Sequence, residues 1–427
     1  MKSIPKRDHL NATVTAPPSK SYSVRALLLG AMSEGTTTIT NCLDADDTRY
    51  ALEALRTIGF RVDGRFKTGV AIGPRVSMSA NEVPVFIGNA GTAMRFLAGW
   101  LAFTPGRFIL QGEARMHERP IGDLVEVLIS IGAEVEYVDR EGYPPLRIRG
   151  KKMRGGFDVA IAADTSSQFA SSLMMAGATL PEGITLRLTS LASASYLDIT
   201  ASILTAFGAD VQQRGNVVHV SAATLRREEY HVEGDYSSAS YWFAAAAATR
   251  GTIRVRGLAH PSVQGDAAFL DILAAMGCTV NIADEITVTR TDELHGGRFD
   301  CNSSPDLVPT LAAIAPLASS PVEIVNVANL RVKESDRLAT VTSELRRLGA
   351  TVEERADSLL IQPGWSFDPA SDPASDPVII ETHNDHRIAM AFAIAGLARG
   401  NVSIADEQVV SKSYPRFWKT LDELLSS

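Results

Sequence analysis

Residues Tyr241–Arg256 read YWFAAAAATRGTIRVR: a wholly apolar stretch, a turn at Arg250-Gly251, then a strand alternating Ile253 and Val255 with Arg254 and Arg256. An apolar helix that shows no polar face belongs inside a protein rather than on its surface. The turn and strand recur as Glu34-Gly35-TTTIT, Pro105-Gly106-RFILQ, Glu182-Gly183-ITLRL, Ser320-Pro321-VEIVN and Arg399-Gly400-NVSIA. Successive copies lie 71, 77, 68, 70 and 79 residues apart, close to one sixth of the 427-residue chain, so the period covers all of it.

A second pattern interleaves with the first. Helical stretches ending in Gly and followed by a strand occur at Leu52–Gly59, Leu124–Gly132, Ile199–Gly208, Phe269–Gly277 and Val341–Gly349. Glycine just past a helix end is the expected left-handed cap. A sixth helix, Arg416–Leu425, meets the end of the sequence before its strand, and Ala12–Thr15 is the segment expected to supply it. The reading is an α/β chain of six βαβαβ-type repeats in two domains of three. The boundaries fall at 1–19 plus 233–427 for one domain and 20–232 for the other. Phe367-DPASDPASDPV reads as a surface loop.

Composition limits function. A net charge of −8 argues against nucleic acid or an anionic membrane as the main partner, although a locally basic pocket can still hold a small anion. The three cysteines, Cys42, Cys278 and Cys301, are far apart, so no disulfide scaffold or thiolate metal site is expected. No apolar run reaches the ~18 residues of a membrane span, and Met1–His9 has no signal-peptide core. A soluble cytoplasmic protein is expected.

Polar clusters stand immediately before the six apolar stretches: Ser19-KSYSV-Arg25, Gly88-NAG-Thr92, Asp164-TSS-Gln168, Gly234-DYS-Ser238, Ser303-SP-Asp306 and His383-NDH-Arg387. Taken singly, each is an ordinary set of helix caps. Taken as a repeat, they gather several helix N-termini, each with unpaired N–H groups and about half a positive charge, into an anion site. Lys20, Arg25, Arg95 and Arg387 lie in or beside these clusters, where a cation is unfavourable unless an anion joins it. Two charged segments, Gly112–Pro120 and Asn329–Arg337, follow repeat strands. On a helix, the second sets Lys333 and Arg337 on one face, with Glu334 three residues before Arg337.

Together these residues resemble the 5-enolpyruvylshikimate-3-phosphate synthase (3-phosphoshikimate 1-carboxyvinyltransferase) family over essentially the whole chain. The carriers are Ser19-KS with Arg25, Asn89-AGTAM-Arg95, Arg115-MHERPIG, Ser166-SQ, Tyr196-LDIT, Glu233-GDYSSASY, Pro305-Asp306, Arg331-VKESD-Arg337 and Asn384-DHR. The resemblance implies a two-domain inside-out α/β barrel with helix N-termini facing an interdomain cleft. It implies transfer of the enolpyruvyl group of phosphoenolpyruvate to the 5-hydroxyl of shikimate 3-phosphate, by addition and elimination through a tetrahedral intermediate, within aromatic amino acid (chorismate) biosynthesis. No metal or organic cofactor is implied, and a monomer is expected. Lys20, Ser21, Arg25, Ser166, Ser167, Gln168, Ser193, Tyr196, Asp306, Asn329 and Lys333 are implied to hold shikimate 3-phosphate. Lys20, Asn89, Gly91, Arg119, Gln168, Arg337, Arg387 and Lys412 are implied to surround phosphoenolpyruvate. Asp306, Glu334 and Lys20 are the implied catalytic residues, Asp306 taking the hydroxyl proton and Glu334 exchanging one with the methylene carbon.

This chain departs from the commonest family pattern at Pro18, Val24, Ala194-Ser195 and Phe96, where Gly, Asn, Lys-Pro and Pro are usual. Phe96 predicts a bulkier, more flexible helix start that shifts Gly91 and Thr92. Three other functions fit the sequence less well. UDP-N-acetylglucosamine enolpyruvyl transferase shares the fold and donor, but shows Lys-Asn where this chain has Lys20-Ser21 and often a Cys in the loop here occupied by Ala114–Pro120. A noncatalytic anion-binding protein is disfavoured by the joint presence of Lys20, Asp306 and Glu334. Metal-dependent hydrolysis through His383 and His386 lacks partner ligands at suitable spacing.

Overall fold

A computed structural model describes residues 1–366 and 376–426. The first nine residues of the proline- and aspartate-rich loop, 367–375, lie outside the described residues. The chain divides into one unit of Met1–Pro17 with Gly234–Ser427 and a second of Pro18–Glu233. Ser19 N donates to Glu233 O and Asp235 N donates to Pro17 O, both at 2.8 Å, so the two passages of the chain part between those pairs.

The Pro18–Glu233 unit carries three four-stranded sheets of one design. The first runs Glu229–His231, Thr37–Thr40, Gly69–Arg75, Phe60–Arg65; the second Val83–Phe86, Gly106–Gln111, Leu146–Gly150, Glu134–Tyr137; the third Phe157–Ala163, Ile184–Leu191, Val217–Val220, Val211–Arg214. In each, the first pair is parallel and the others antiparallel. The strands alternate, with Phe108 and Leu110 of Gly106–Gln111 fully buried against an apolar core confined to this unit.

The other unit repeats the design and shows how the sequence ends are used. Asn11–Thr15 does not complete the sixth repeat, as Ala12–Thr15 was expected to. It runs parallel to Thr252–Arg256 and heads the fourth sheet. The sixth repeat is completed by Lys2–Ile4, antiparallel to Val402–Ile404, in a sheet of three strands. Five-residue Asn11–Thr15 matches five-residue Thr252–Arg256 along its whole length, whereas Lys2–Ile4 has one apolar residue, Ile4, too little for a periodicity.

Six helices fill the two cores: Lys20–Met32, Gly91–Ala102, Ser167–Gly177, Tyr236–Ala248, Val308–Ile314 and His386–Arg399. Thirteen of the fourteen residues of His386–Arg399 are buried, as the absence of a polar face requires. The second helix of each repeat is Asp46–Ile58, Gly122–Ser130, Ser195–Ala206, Phe269–Ala275, Arg337–Arg347 or Phe417–Leu425. The glycines at the repeat position after five of them, 59, 132, 208, 277 and 349, all lie at φ between 89° and 107°. Among the described residues no helix is long and apolar enough to cross a membrane.

Candidate active site

In the Pro18–Glu233 unit, the polar residues sit where the repeat places them, on helix N-termini. Ser19 and Ser166 cap their helices, accepting from Tyr22 N at 3.5 Å and Gln168 N at 3.3 Å. The Gly91–Ala102 helix has no side-chain cap; Ala90 stands at that position. Arg119 occupies the space over its first turn. A Cβ on Gly91 would lie 2.6 Å from Arg119 Nη2, so only glycine leaves room for that guanidinium. Arg119 Nη1 donates to Asn89 Oδ1 at 3.2 Å and Asn89 O at 3.3 Å, joining three expected site residues, Asn89, Gly91 and Arg119. Gln168 Nε2 donates to Thr92 Oγ1 at 3.3 Å, tying the start of Ser167–Gly177 to the same place.

Lys20, Ser21, Arg25 and Tyr196 form a second group. Lys20 Nζ lies 3.3 Å from Asp47 Oδ2. Arg25 is 1% exposed, and among the described residues no carboxylate comes within ion-pair distance of it. Its Nε donates to Thr200 Oγ1 at 2.9 Å, and its Nη atoms to Ser21 O at 3.0 Å and Tyr196 O at 3.2 Å. The guanidinium stacks 4.9 Å above the Phe96 ring. Burial pulls the Arg25 pKa down to about 10, with the Tyr196 and Tyr22 phenols opposing. Phe96, expected to loosen its helix, is fully buried and makes the platform for Arg25. Ser193, buried at φ 59°, leads into Ser195–Ala206, whose second turn of side chains supplies Thr200.

The other unit places carboxylates and cations in one network. Arg337, also 1% exposed, meets three carboxylates: Asp306 Oδ1, Glu334 Oε2 and Asp385 Oδ2, each at 2.8 Å. Burial acts against its charge, but Asp385, Glu334 and Asp306 outweigh that and raise its pKa. Arg387 Nη2 lies 2.6 Å from Asp306 Oδ2, and its Nη1 donates to Tyr241 Oη at 3.5 Å. Lys412 Nζ lies 3.9 Å from Glu334 Oε1. Asp385 caps His386–Arg399, accepting from Arg387 N at 3.0 Å, while Ser335 Oγ donates to it at 3.1 Å.

The helix expected across Asn329–Arg337 begins only at Arg337. Asp336 caps it by accepting from Ala339 N at 3.1 Å. Arg331 binds Asp336 and Glu354, and Ala328–Val332 forms a short 3-10 turn instead. Lys333 and Glu334 therefore lie in an irregular link, yet the Glu334–Arg337 pair forms. Asn329 is buried on that 3-10 turn, and Asp306 sits on another, Pro305–Leu307.

Asp385, Ser335, Tyr241 and Thr200 complete these networks without having been singled out in the sequence. Each lies inside a stretch that carries the family resemblance, Asn384-DHR, Arg331-VKESD-Arg337, Glu233-GDYSSASY or Tyr196-LDIT, and Asp385 is also an N-cap residue type between His383 and Arg387. His383 Nε2 pairs with buried Glu344 at 3.1 Å, and His386 is buried beside Asp385. Among the described residues no group of three His, Cys, Asp or Glu side chains could hold a metal ion.

A family model described as EPSP synthase (3-phosphoshikimate 1-carboxyvinyltransferase) matches residues 4–421. A 3-phosphoshikimate 1-carboxyvinyltransferase of Methanoculleus marisnigri is 43% identical over 419 residues, covering 96% of each chain. One of Aliivibrio fischeri is 41% identical, covering 97% of each. Among solved structures, an EPSP synthase from Acinetobacter baumannii superposes with a TM-score of 0.80 at 27% identity, over 99% of this chain and 97% of that one.

Proposed function

This chain belongs to the EPSP synthase family, the enolpyruvyl transferases of the shikimate pathway that act on phosphoenolpyruvate and shikimate 3-phosphate, and from that premise we propose how its residues divide the reaction. Arg25, with Lys20, Ser21 and the Ser166-Ser167-Gln168 helix start, takes the anionic acceptor. Asn329, Lys333, Ser193 and Tyr196 complete its binding. Arg119, Asn89 and the Gly91 turn take the donor, together with Arg387 and Lys412. Asp306 accepts the 5-hydroxyl proton as the oxygen attacks the donor, and Glu334 gives a proton to the methylene carbon and removes it in the elimination. Lys20 steadies the charge that builds on the donor.

One observation carries this reading: Arg337 holds the proposed base and the proposed proton-exchanging acid on separate nitrogens, Asp306 on Nη1 and Glu334 on Nη2. Of the five N–H bonds of that guanidinium, these and Asp385 take four, and among the described residues the fifth, on Nη1, is left for the donor. Arg337 thus works chiefly by fixing the two carboxylates. We take the enzyme to act as a monomer, and in the cytoplasm, where a reducing environment suits its three buried free thiols.

The test is coupled phosphate release from phosphoenolpyruvate, with shikimate 3-phosphate and UDP-N-acetylglucosamine offered in parallel. Release is expected with shikimate 3-phosphate alone. Asp306→Ala should lower it by about 10²–10⁴-fold while acceptor binding stays measurable, the usual contribution of a positioned base. Release with the nucleotide sugar, or an undiminished Asp306→Ala, contradicts the assignment.

A further inference from the structure

One carboxyl beside the Asp306–Arg387 pair has no part in the reaction as described. Asp266 lies on the 3-10 turn Gly265–Ala268 and is 6% exposed. The Ser237 hydroxyl, on the first turn of Tyr236–Ala248, donates to Asp266 Oδ2. Among the described residues no cation comes within ion-pair distance of it.

The repeat gives a direct control. Ser19-Lys20-Ser21 opens the first repeat helix as Asp235-Tyr236-Ser237 opens the fourth. In the first, the carboxylate at the entrance of the second helix, Asp47, meets the Lys20 ammonium at 3.3 Å. In the fourth, the residue aligned with Lys20 is Tyr236, whose phenol donates to Ala259 O, and the carboxylate is met instead by the Ser237 hydroxyl. The same architecture therefore neutralises one acid with a cation and leaves the other to keep its own proton.

The charged neighbours of Asp266 are Asp306, Arg387 and Asp235, and the buried Cys301 thiol also feels it. The two helices packed on its turn, Tyr236–Ala248 and Phe269–Ala275, add the Tyr236 and Tyr241 phenols and the exposed Asp271. Burial first, then the Asp306 carboxylate, raise the Asp266 pKa to about 7, against the pull of Arg387 and Ser237.

We propose that Asp266 is a positioning residue for the transfer: the proton that Asp266 holds sets how much of the Arg387 charge is left for an anionic substrate. While Asp266 is neutral, Asp306 is the carboxylate that Arg387 answers to. Once ionised, Asp266 adds a second negative charge in a poorly solvated place, and the pull of Arg387 on phosphoenolpyruvate weakens. This inference rests on the roles given above to Asp306 and Arg387.

The experiment compares the parent enzyme with Asp266→Asn, which keeps an acceptor for Ser237 but cannot ionise. In the parent, KM for phosphoenolpyruvate should rise several-fold more steeply from about pH 6 to about pH 8 than in Asp266→Asn, with kcat little changed. Thermal unfolding supplies a readout independent of activity. An acid with a folded-state pKa above its unfolded value costs the native state stability as pH rises between the two. The Tm of Asp266→Asn minus that of the parent should therefore grow from about pH 4 to about pH 7 and then level off. Ser237→Ala, which removes a contact favouring the ionised form, should move the KM rise to higher pH.

A Tm difference that stays flat with pH overturns the claim that Asp266 holds a proton. A growing Tm difference with superimposable KM profiles overturns its coupling to Arg387. A Ser237→Ala profile identical to the parent's overturns the claim that the Asp266 proton governs the KM rise, even if Asp266→Asn does not fold. Failure of Asp306→Ala to slow phosphate release would instead strike the reading of the site and leave the Tm result standing.

Discussion

Arg25 and Arg337 are equally buried, each 1% exposed, one in each unit, yet their surroundings push them in opposite directions. Arg25 rests on a hydroxyl, two carbonyl oxygens and an aromatic face, and burial lowers its pKa to about 10. Arg337 meets three carboxylates, which raise its pKa despite the same burial. Partners, not depth, decide what a buried cation is for. Arg337 is neutralised within the fold and orders the acids around it. Arg25 carries a charge that no carboxylate among the described residues answers, which is what a site for an anionic substrate needs.

Arg337→Gln should break this contrast hardest. It leaves Asp306, Glu334 and Asp385 buried without their shared cation, and removing one partner of a buried ion pair costs about 3–5 kcal/mol. Calorimetric unfolding should show that loss. A deficit below about 1 kcal/mol would mean that the three carboxylates do not depend on Arg337. Phe96→Leu should have the smallest effect. It removes the ring under Arg25, worth about 1 kcal/mol, and should weaken shikimate 3-phosphate binding a few-fold without altering kcat. A change in kcat with unchanged binding would detach Phe96 from Arg25.

The fold was legible where one residue type carries one physical duty. Alternating strands, wholly apolar helices and the glycine at Gly59, φ 107°, follow from local rules, and their period counted the repeats. What the sequence withheld depends on which segments meet. Lys2–Ile4 is too short to announce a strand, so the neighbouring Ala12–Thr15 was expected in its place. The irregular link at Lys333–Asp336 is set by Arg331 reaching Glu354, eighteen residues beyond the link's end. Phe96 read locally as a disturbance, because its value lies in a cation on another helix. The site residues were nameable because motifs and helix starts coincide. Their electrostatic division was not, since Arg25 and Arg337 look alike in one dimension.

Calorimetric binding of shikimate 3-phosphate to Arg25→Gln, beside its thermal unfolding, tests the central claim most directly. A charge reserved for substrate predicts binding about 10–100-fold weaker, the value of a hydrogen bond to a charged group, with little change in Tm. Unchanged affinity, or a Tm loss as large as that of Arg337→Gln, would show that Arg25 serves the fold instead.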